Sequence, residues 1–465
     1  MPNSAGEPSI MQSRRDTSPS YFDRLGDQSD RQLSDVYALI RPTAYGTALL
    51  ALCVLVGMVE GYDVQAMSLA APLLARAWGL APQAVGILLS SSLIGQVVGG
   101  FLLAPLGDRL GRRTALLMGL AIAGSATYVG AFMPDFGSMM ASRFVAGLGL
   151  GFALANTIAL AMELVPSSWR AIAVVLVSSG YPLGAAAGAA AVGMLLPAYG
   201  VAAVFYVGGA STLVCLLVCI ILLPESPVML VRRPGDQSRL RAVFKRLGVA
   251  INPAVRLVGQ AAATQSNVAA LFTPERRSTT LLLWLLNFSN LSLIFFFVMW
   301  LPSLFVHSGF DPRDAIRATA LFSFSGILGG LTLAALMSRI GPVLTLGACY
   351  VLTIFSVITF ASVSAPSTIF LLALFCCGFL ITGSQFCLHA VINLFYPGPI
   401  RATGLGFALG AGRIGGVIAP IAGGFVLAHV GSPSQAFYIA VVPGCISLLA
   451  LVTLRHLNLV GLHSE

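Results

Sequence analysis

The stretch Gly57-Met-Val-Glu-Gly-Tyr-Asp-Val-Gln-Ala-Met67 sets Glu60 and Asp63 three residues apart inside a run that is otherwise apolar from Ala44 to about Trp78. Side chains at i and i+3 leave one face of a helix. Two carboxylates that close in a low-dielectric interior cannot both ionise cheaply, so one is expected to hold a proton near neutrality. That is what a proton-coupling site requires. Arg143, in a later apolar run, is the basic group that could pair with them. A static salt bridge is the plainer reading, and it shares residues with the coupling one, because a pairing that breaks on protonation is how coupling would run. Arg413 lies in GFALGAGRIGGVIAP, about twelve residues or roughly 18 Å into its run at 1.5 Å per residue. Gly410, Gly412, Gly415 and Gly416 leave its guanidinium uncovered, and that group offers a fork of donors matched to a carboxylate. No Asp or Glu sits mid-run in the second half. An anionic ligand is therefore the expected partner, a permanent partner on a neighbouring helix the alternative. His389 is a further ionisable group at membrane depth. Tyr62, Phe295, Phe296, Phe297 and Trp300 could wall a planar apolar ligand, although most such aromatics face lipid or core.

These charges matter because of the solvent around them. Of 465 residues, 57% are hydrophobic and 9% charged, against about 25% charged in a soluble domain. A span needs about 20 apolar residues, and twelve runs qualify, with approximate limits 44–74, 82–106, 113–133, 137–162, 170–196, 199–223, 279–306, 313–338, 342–363, 366–394, 401–429 and 434–455. A charge at the centre of such a span costs roughly 2.5 to 3.5 kcal/mol and is kept for function or for a partner. The organisation expected is a tail 1–43, a six-helix bundle 44–223, a polar loop 224–278, a second six-helix bundle 279–455 and a tail 456–465. With tails and loop on one side, every Lys and Arg falls there except Arg76, Arg313, Arg317 and the intramembrane Arg143 and Arg413. The positive-inside rule then makes both termini cytoplasmic. The net charge of +9 is this topological signal and not a nucleic-acid surface. The tail shows no cleaved signal peptide and has room for a short amphipathic helix near Ser34 to Ile40. All eight cysteines lie in apolar segments and read as packing residues, without disulfide framework or zinc spacing. Walker, nucleophile-elbow and metal motifs are absent. The chain is therefore expected to be no enzyme and to use no nucleotide, metal or other cofactor beyond protons as coupling ion.

The second half echoes the first. GGFLLAPLGDRLGR from Gly99 aligns with GGLTLAALMSRIGP from Gly329, Pro72 with Pro302, Pro166 and Arg170 with Pro397 and Arg401, and Gly184 with Gly415. Transporter folds are often built from repeats of this kind. Two related six-helix bundles joined by a loop resemble the major facilitator superfamily. So do Gly107-Asp-Arg-Leu-Gly-Arg-Arg113 between the second and third helices, Arg143-Phe-Val-Ala-Gly-Leu-Gly-Leu-Gly151 on the fourth, and Pro224-Glu-Ser-Pro227 after the sixth. In the first of these, the glycines permit a tight turn. Asp108 can accept from the next helix start or pair with an arginine, so Gly107, Asp108, Arg109, Gly111, Arg112 and Arg113 are the candidate gating loop, or merely a positive-inside anchor. EGYD on the first helix, PESP, and YPGPIRATGLGFALGAGRIGG across the tenth and eleventh are similar to the aromatic acid:proton symporter branch. That branch typically carries DGYD with both acids required, and here the first acid is Glu.

The resemblance implies an all-α membrane protein of twelve transmembrane helices in the inner membrane, working as a monomer by alternating access. It implies Glu60, Asp63 and Arg143 as the proton-coupling group, with Arg413, Tyr62, Phe296, Trp300 and His389 around a small organic acid, most simply an aromatic carboxylate such as a hydroxybenzoate. An exporter running on proton antiport and a transporter-like receptor for the acid stay open.

Overall fold

The computed structural model describes residues 30–37, 39–166, 169–233, 235–253, 255–258, 268–363, 367–396, 398–430 and 433–462. Most of the expected first tail, the last residues of the second, and part of the 224–278 loop lie outside these. Twelve long helices run through the described chain: α1 Ala44–Trp78, α2 Pro82–Val98, α3 Arg112–Gly130, α4 Phe136–Glu163, α5 Arg170–Tyr199, α6 Ala202–Leu222, α7 Arg277–His307, α8 Pro312–Ile340, α9 Pro342–Ser362, α10 Thr368–Phe395, α11 Gly398–Leu427 and α12 Val441–Leu462. Eleven are long and apolar enough to cross a membrane. The remaining one, α3, is 19 residues long and opens on two arginines, which lowers its mean hydropathy. It nevertheless packs between α4 and α6 as a full member of the first bundle.

The ends follow local chemistry. Thr43 caps α1 by accepting from the Gly46 N–H, and Gly79 ends it in the left-handed region at φ 62°. Asp135, Asp311 and Ser367 cap α4, α8 and α10 in the same way, meeting backbone donors that a helix start leaves unpaired. The α2 run expected to reach residue 106 is α-helical only to Val98, widening into a π-helical turn at Gly99–Leu103 and then a 3₁₀ turn at Ala104–Leu106.

The repeat is visible in the packing. In the first bundle α1 lies on α5, α2 and α3 on α4, and α3 on α6; in the second α7 lies on α11, α8 and α9 on α10, and α9 on α12. Lipid supplies no hydrophobic drive between helices, so close backbone approach does the work. A Cβ at Gly61 would run into the Tyr181 carbonyl and one at Gly184 into that of Met58, which fixes how near α1 and α5 come. The bundles meet through α2 on α11 and α5 on α8. Among the described residues, the hydrogen bonds joining them run from Gln65 to the Val298 carbonyl, Arg76 to Val306 and Ser90 to Val417. All lie in the half of the molecule away from the 224–278 loop, so the bundles are closed on that face.

On the loop face there is more order than a polar loop implies. A strand β1, Asp30–Gln32, pairs in parallel with β2, Arg256–Val258. Short helices Leu33–Tyr37, Pro227–Arg232 and Gln237–Arg246 lie beside the pair. Leu33, Val36 and Tyr37 are buried together with Leu240, Phe244 and Leu257 against the ends of the first bundle, at Leu116, Leu164 and Leu223. Tyr37 meets the Phe244 ring edge-on at 6.0 Å, with the Arg170 guanidinium 5.0 Å from the Tyr37 ring centre.

Candidate functional site

Asp63 and Arg143 form an ion pair in the interior of the first bundle, Arg143 NH1 to Asp63 Oδ1 at 3.2 Å, with side chains 1% and 0% exposed. Thr127 of α3 joins them: its hydroxyl donates to Asp63 Oδ1 at 2.5 Å and accepts from Arg143 NH2 at 2.9 Å. Ser92 of α2 stands 3.5 Å from Asp63 Oδ2. The guanidinium lies 5.4 Å from the Phe205 ring centre, and its Nε has no partner among the described residues. A buried pair of this kind is costly to break, because each partner would be left as an uncompensated charge. A neutral side chain in the place of Asp63 would keep an acceptor for Thr127 but leave Arg143 without a counterion, so the charge of Asp63 holds this cluster together.

Glu60, one turn along α1, is also buried and accepts from Gln96 Nε2 at 2.6 Å. Arg413 is the cation whose charge acts on it, reaching from α11 to α2, where its NH1 would lie 3.4 Å from a Cβ at Gly100. Gly100 sits in the π-helical turn, so the chain is glycine-thin where the arginine arrives. Arg413 is half-buried and makes no hydrogen bond or ion pair with a described residue. Tyr181 of α5, in the same bundle, interacts electrostatically with Glu60, and its buried hydroxyl has no partner among the described residues. Glu60 is thus faced by a guanidinium across the junction of the bundles and by a hydroxyl of its own bundle.

The second bundle adds amides. Asn290 donates to Gln385 Oε1 at 2.6 Å, Gln385 donates to Asn287 Oδ1 at 3.1 Å, and Ser384 donates to Asn290 Oδ1 at 2.8 Å. Asn287 holds the Ala408 carbonyl of α11 at 2.6 Å, little more than a turn from Arg413. His389 joins through its Nε2, 2.9 Å from Gln385 Nε2. His389 was singled out from sequence, but Gln96, Thr127, Tyr181 and the uncharged members of this network were not. Uncharged groups on apolar helices give little signal there. The available clue was their density on α7 and α10, at Asn287, Asn290, Ser384, Gln385 and His389.

The aromatics stand elsewhere. Tyr62 is buried between α1, α5 and α6, its hydroxyl donating to the Val204 carbonyl and its ring against Gly188 and Gly208. Phe296 packs against Phe297 and Phe437, and Trp300 Nε1 donates to the Pro420 carbonyl of α11 at 3.0 Å. Both belong to the core of the closed face and not to the surroundings of Arg413.

The loop after α2 forms a latch within the first bundle. Gly107–Leu110 is a single helical turn, and Gly111 follows at φ 111°, a conformation that favours glycine. Arg112 pairs with Glu163 at the end of α4 and stands 3.7 Å from Asp108. Glu163 also accepts from the Ser226 hydroxyl. Glu225 accepts from the Arg113 N–H at 3.1 Å, and the Arg113 guanidinium donates to the Leu223 and Ile220 carbonyls at 2.6 and 2.7 Å. The loop signature and PESP are therefore two halves of one contact. Arg109 is exposed.

Comparison with known proteins agrees with this arrangement. Residues 53–388 and 283–460 match the Major Facilitator Superfamily. The chain is 30% identical to the 4-hydroxybenzoate transporter PcaK of Acinetobacter baylyi, over 91% of this chain and 94% of that one. It is 30% identical to the gallate transporter of Pseudomonas putida, over 90% and 93%, and 34% identical to the 3-(3-hydroxy-phenyl)propionate transporter of Escherichia coli, over 85% and 90%. Among solved structures, a partially occluded inward-open form of the xylose transporter XylE from E. coli superposes with a TM-score of 0.70 at 19% identity, over 88% of this chain and 97% of that one. With its two six-helix bundles, paired glycine contacts and loop latch, the chain is a multi-pass membrane transporter that belongs to the major facilitator superfamily and is related to its aromatic acid transporters.

Proposed function

We propose that this protein imports an aromatic carboxylate together with protons, exposing the site between Glu60 and Arg413 alternately to each side of a bacterial inner membrane, with both termini cytoplasmic. The observation that carries the reading is Arg413: a half-buried guanidinium without a protein partner among the described residues, facing a carboxylate on the other bundle. A guanidinium offers two parallel donors to a carboxylate, and the named relatives transport acids that carry one. In this scheme the substrate carboxylate takes Arg413, and Glu60 and Asp63 accept the accompanying protons. His389 and the amides beside it orient the ring substituents. In proteoliposomes with an acid outside pH, labelled 4-hydroxybenzoate should accumulate and a protonophore should release it. Uptake insensitive to the gradient would sink proton symport. Efflux from loaded cells at the expense of the gradient would favour antiport.

The latch has a different duty in the same scheme. Arg112→Ala leaves Glu163, with an 8% exposed side chain, without its cation, and leaving a buried group unsatisfied costs about 1–3 kcal/mol, more when the group is charged. The latch residues touch neither Glu60 nor Arg413. Uptake by Arg112→Ala is expected to slow several-fold with the Kd for substrate unchanged within about twofold, as read by transport and by binding to purified protein. Affinity falling in step with rate would place the latch on the binding path.

A further inference from the structure

On the closed face, away from Glu60 and Arg413, lies a cavity of about 260 Å³. Its walls come from both bundles, including Arg76 at the end of α1, Val85 of α2, Trp300, Ser303 and His307 of α7, and Leu427 of α11. The volume is ample for one ring, since an apolar cavity of about 150 Å³ holds benzene. The walls are largely apolar, yet two basic side chains converge on them. Arg76 spends one donor on the Val306 carbonyl, at 3.3 Å, and a guanidinium has five. The Ser303 hydroxyl is buried away from the open space, so that residue adds wall and no polar contact. His307 supplies an imidazole, and no Asp or Glu is among the described lining residues. An apolar slot with two basic side chains and no acid among its described lining residues selects an anion carried on a flat ring.

We propose that this cavity is a second ligand site for a single-ring aromatic carboxylate, the ring lying between Trp300, Val85 and Leu427 and the carboxylate meeting Arg76 and His307. Because both bundles contribute walls, an occupant favours the arrangement in which this face is closed, by its differential affinity for that state. Excess acid on this side therefore holds the face shut and slows turnover. The inference rests on the cavity's own lining and does not require the reading of the central site.

The test places a thiol in the wall. Leu427→Cys is introduced together with Cys376→Ser and Cys445→Ser, which remove the exposed native thiols, and maleimide labelling of the purified full chain in nanodiscs is timed with benzoate or neutral benzamide. Benzoate near saturation should slow labelling by at least about tenfold, and benzamide should need at least about tenfold more ligand for the same protection, the affinity difference one charge-assisted contact makes. Protection should persist when Arg413→Ala is added and vanish with Arg76→Gln and His307→Gln together. Three results would overturn the proposal: no protection at millimolar benzoate, equal protection by benzamide, or protection lost with Arg413→Ala, which would mean the signal is relayed from the centre. If Leu427→Cys fails to fold, Val430→Cys reads the same wall. Should the central reading alone be wrong, Arg413→Ala leaves transport affinity unchanged and protection still stands.

Discussion

Asp63→Asn is expected to abolish proton-driven accumulation while leaving exchange of labelled for unlabelled substrate across the membrane. The amide fills the same space and still accepts from Thr127 and Arg143, so the cluster of α1, α3 and α4 keeps its shape. What it cannot do is take up and release a proton. Each proton moved down one pH unit supplies about 1.4 kcal/mol, or a tenfold concentration ratio, and in the variant that ratio falls to about one. The charge of Arg143 also loses its counterion at 0% exposure. Breaking a buried pair costs about 3–5 kcal/mol, and the retained hydrogen bonds place Asp63→Asn at the low end of that range, read as a lower Tm. Accumulation at the wild-type level would remove Asp63 from the coupling path. Loss of exchange as well as accumulation would make it a structural partner of Arg143.

Arg413 carries the second large effect, and it decides the substrate class. If the guanidinium holds the substrate carboxylate, Arg413→Lys keeps the charge but loses the fork, and Arg413→Ala loses both. Affinity should then fall in the order Arg, Lys, Ala. A charge-assisted hydrogen bond is worth about 1.5–3 kcal/mol, so the alanine variant should bind the acid at least about tenfold more weakly. Removing the charge from the ligand completes a cycle: a methyl ester of the same acid should bind wild type poorly and respond little to either substitution. An ester that binds wild type as tightly as the acid would end the assignment. An alanine variant that still tells the two apart would end it too.

Much of this was legible in the chain because membrane solvent makes charge conspicuous. Glu60, Asp63, Arg143 and Arg413 stand out in apolar runs, and the runs, the glycine repeat and the asymmetry of arginines give the two-bundle fold. Which charge meets which was less legible. Glu60 and Asp63 leave α1 close together, yet one reaches Gln96 and faces Arg413, while the other is enclosed by Thr127 and Arg143. Tyr62, Phe296 and Trp300 show why aromatics were ambiguous: on a helix apolar all round, periodicity does not separate core, lipid and cavity faces. The pairing of Asp30–Gln32 with Arg256–Val258 left no trace, since three-residue strands distant in sequence carry no pattern of their own.

The π-helical turn at Gly99–Leu103 has a consequence for phase. An α-helix advances about 100° per residue, and a π turn takes up one residue more than the α turn it replaces. Gly107 and Asp108 are thereby set out of step with α2 by up to that angle, less what the overwound 3₁₀ turn at Ala104–Leu106 takes back, and Arg112, which pairs with Glu163, starts a new helix after the break at Gly111. Shortening this segment by one residue would turn Asp108 about the axis of α2 and away from Arg112. Sliding the wide turn along α2 would instead act as a screw, rotating the glycine-thin stretch beneath Arg413 while Pro82 and Gly86 remain clamped to α11.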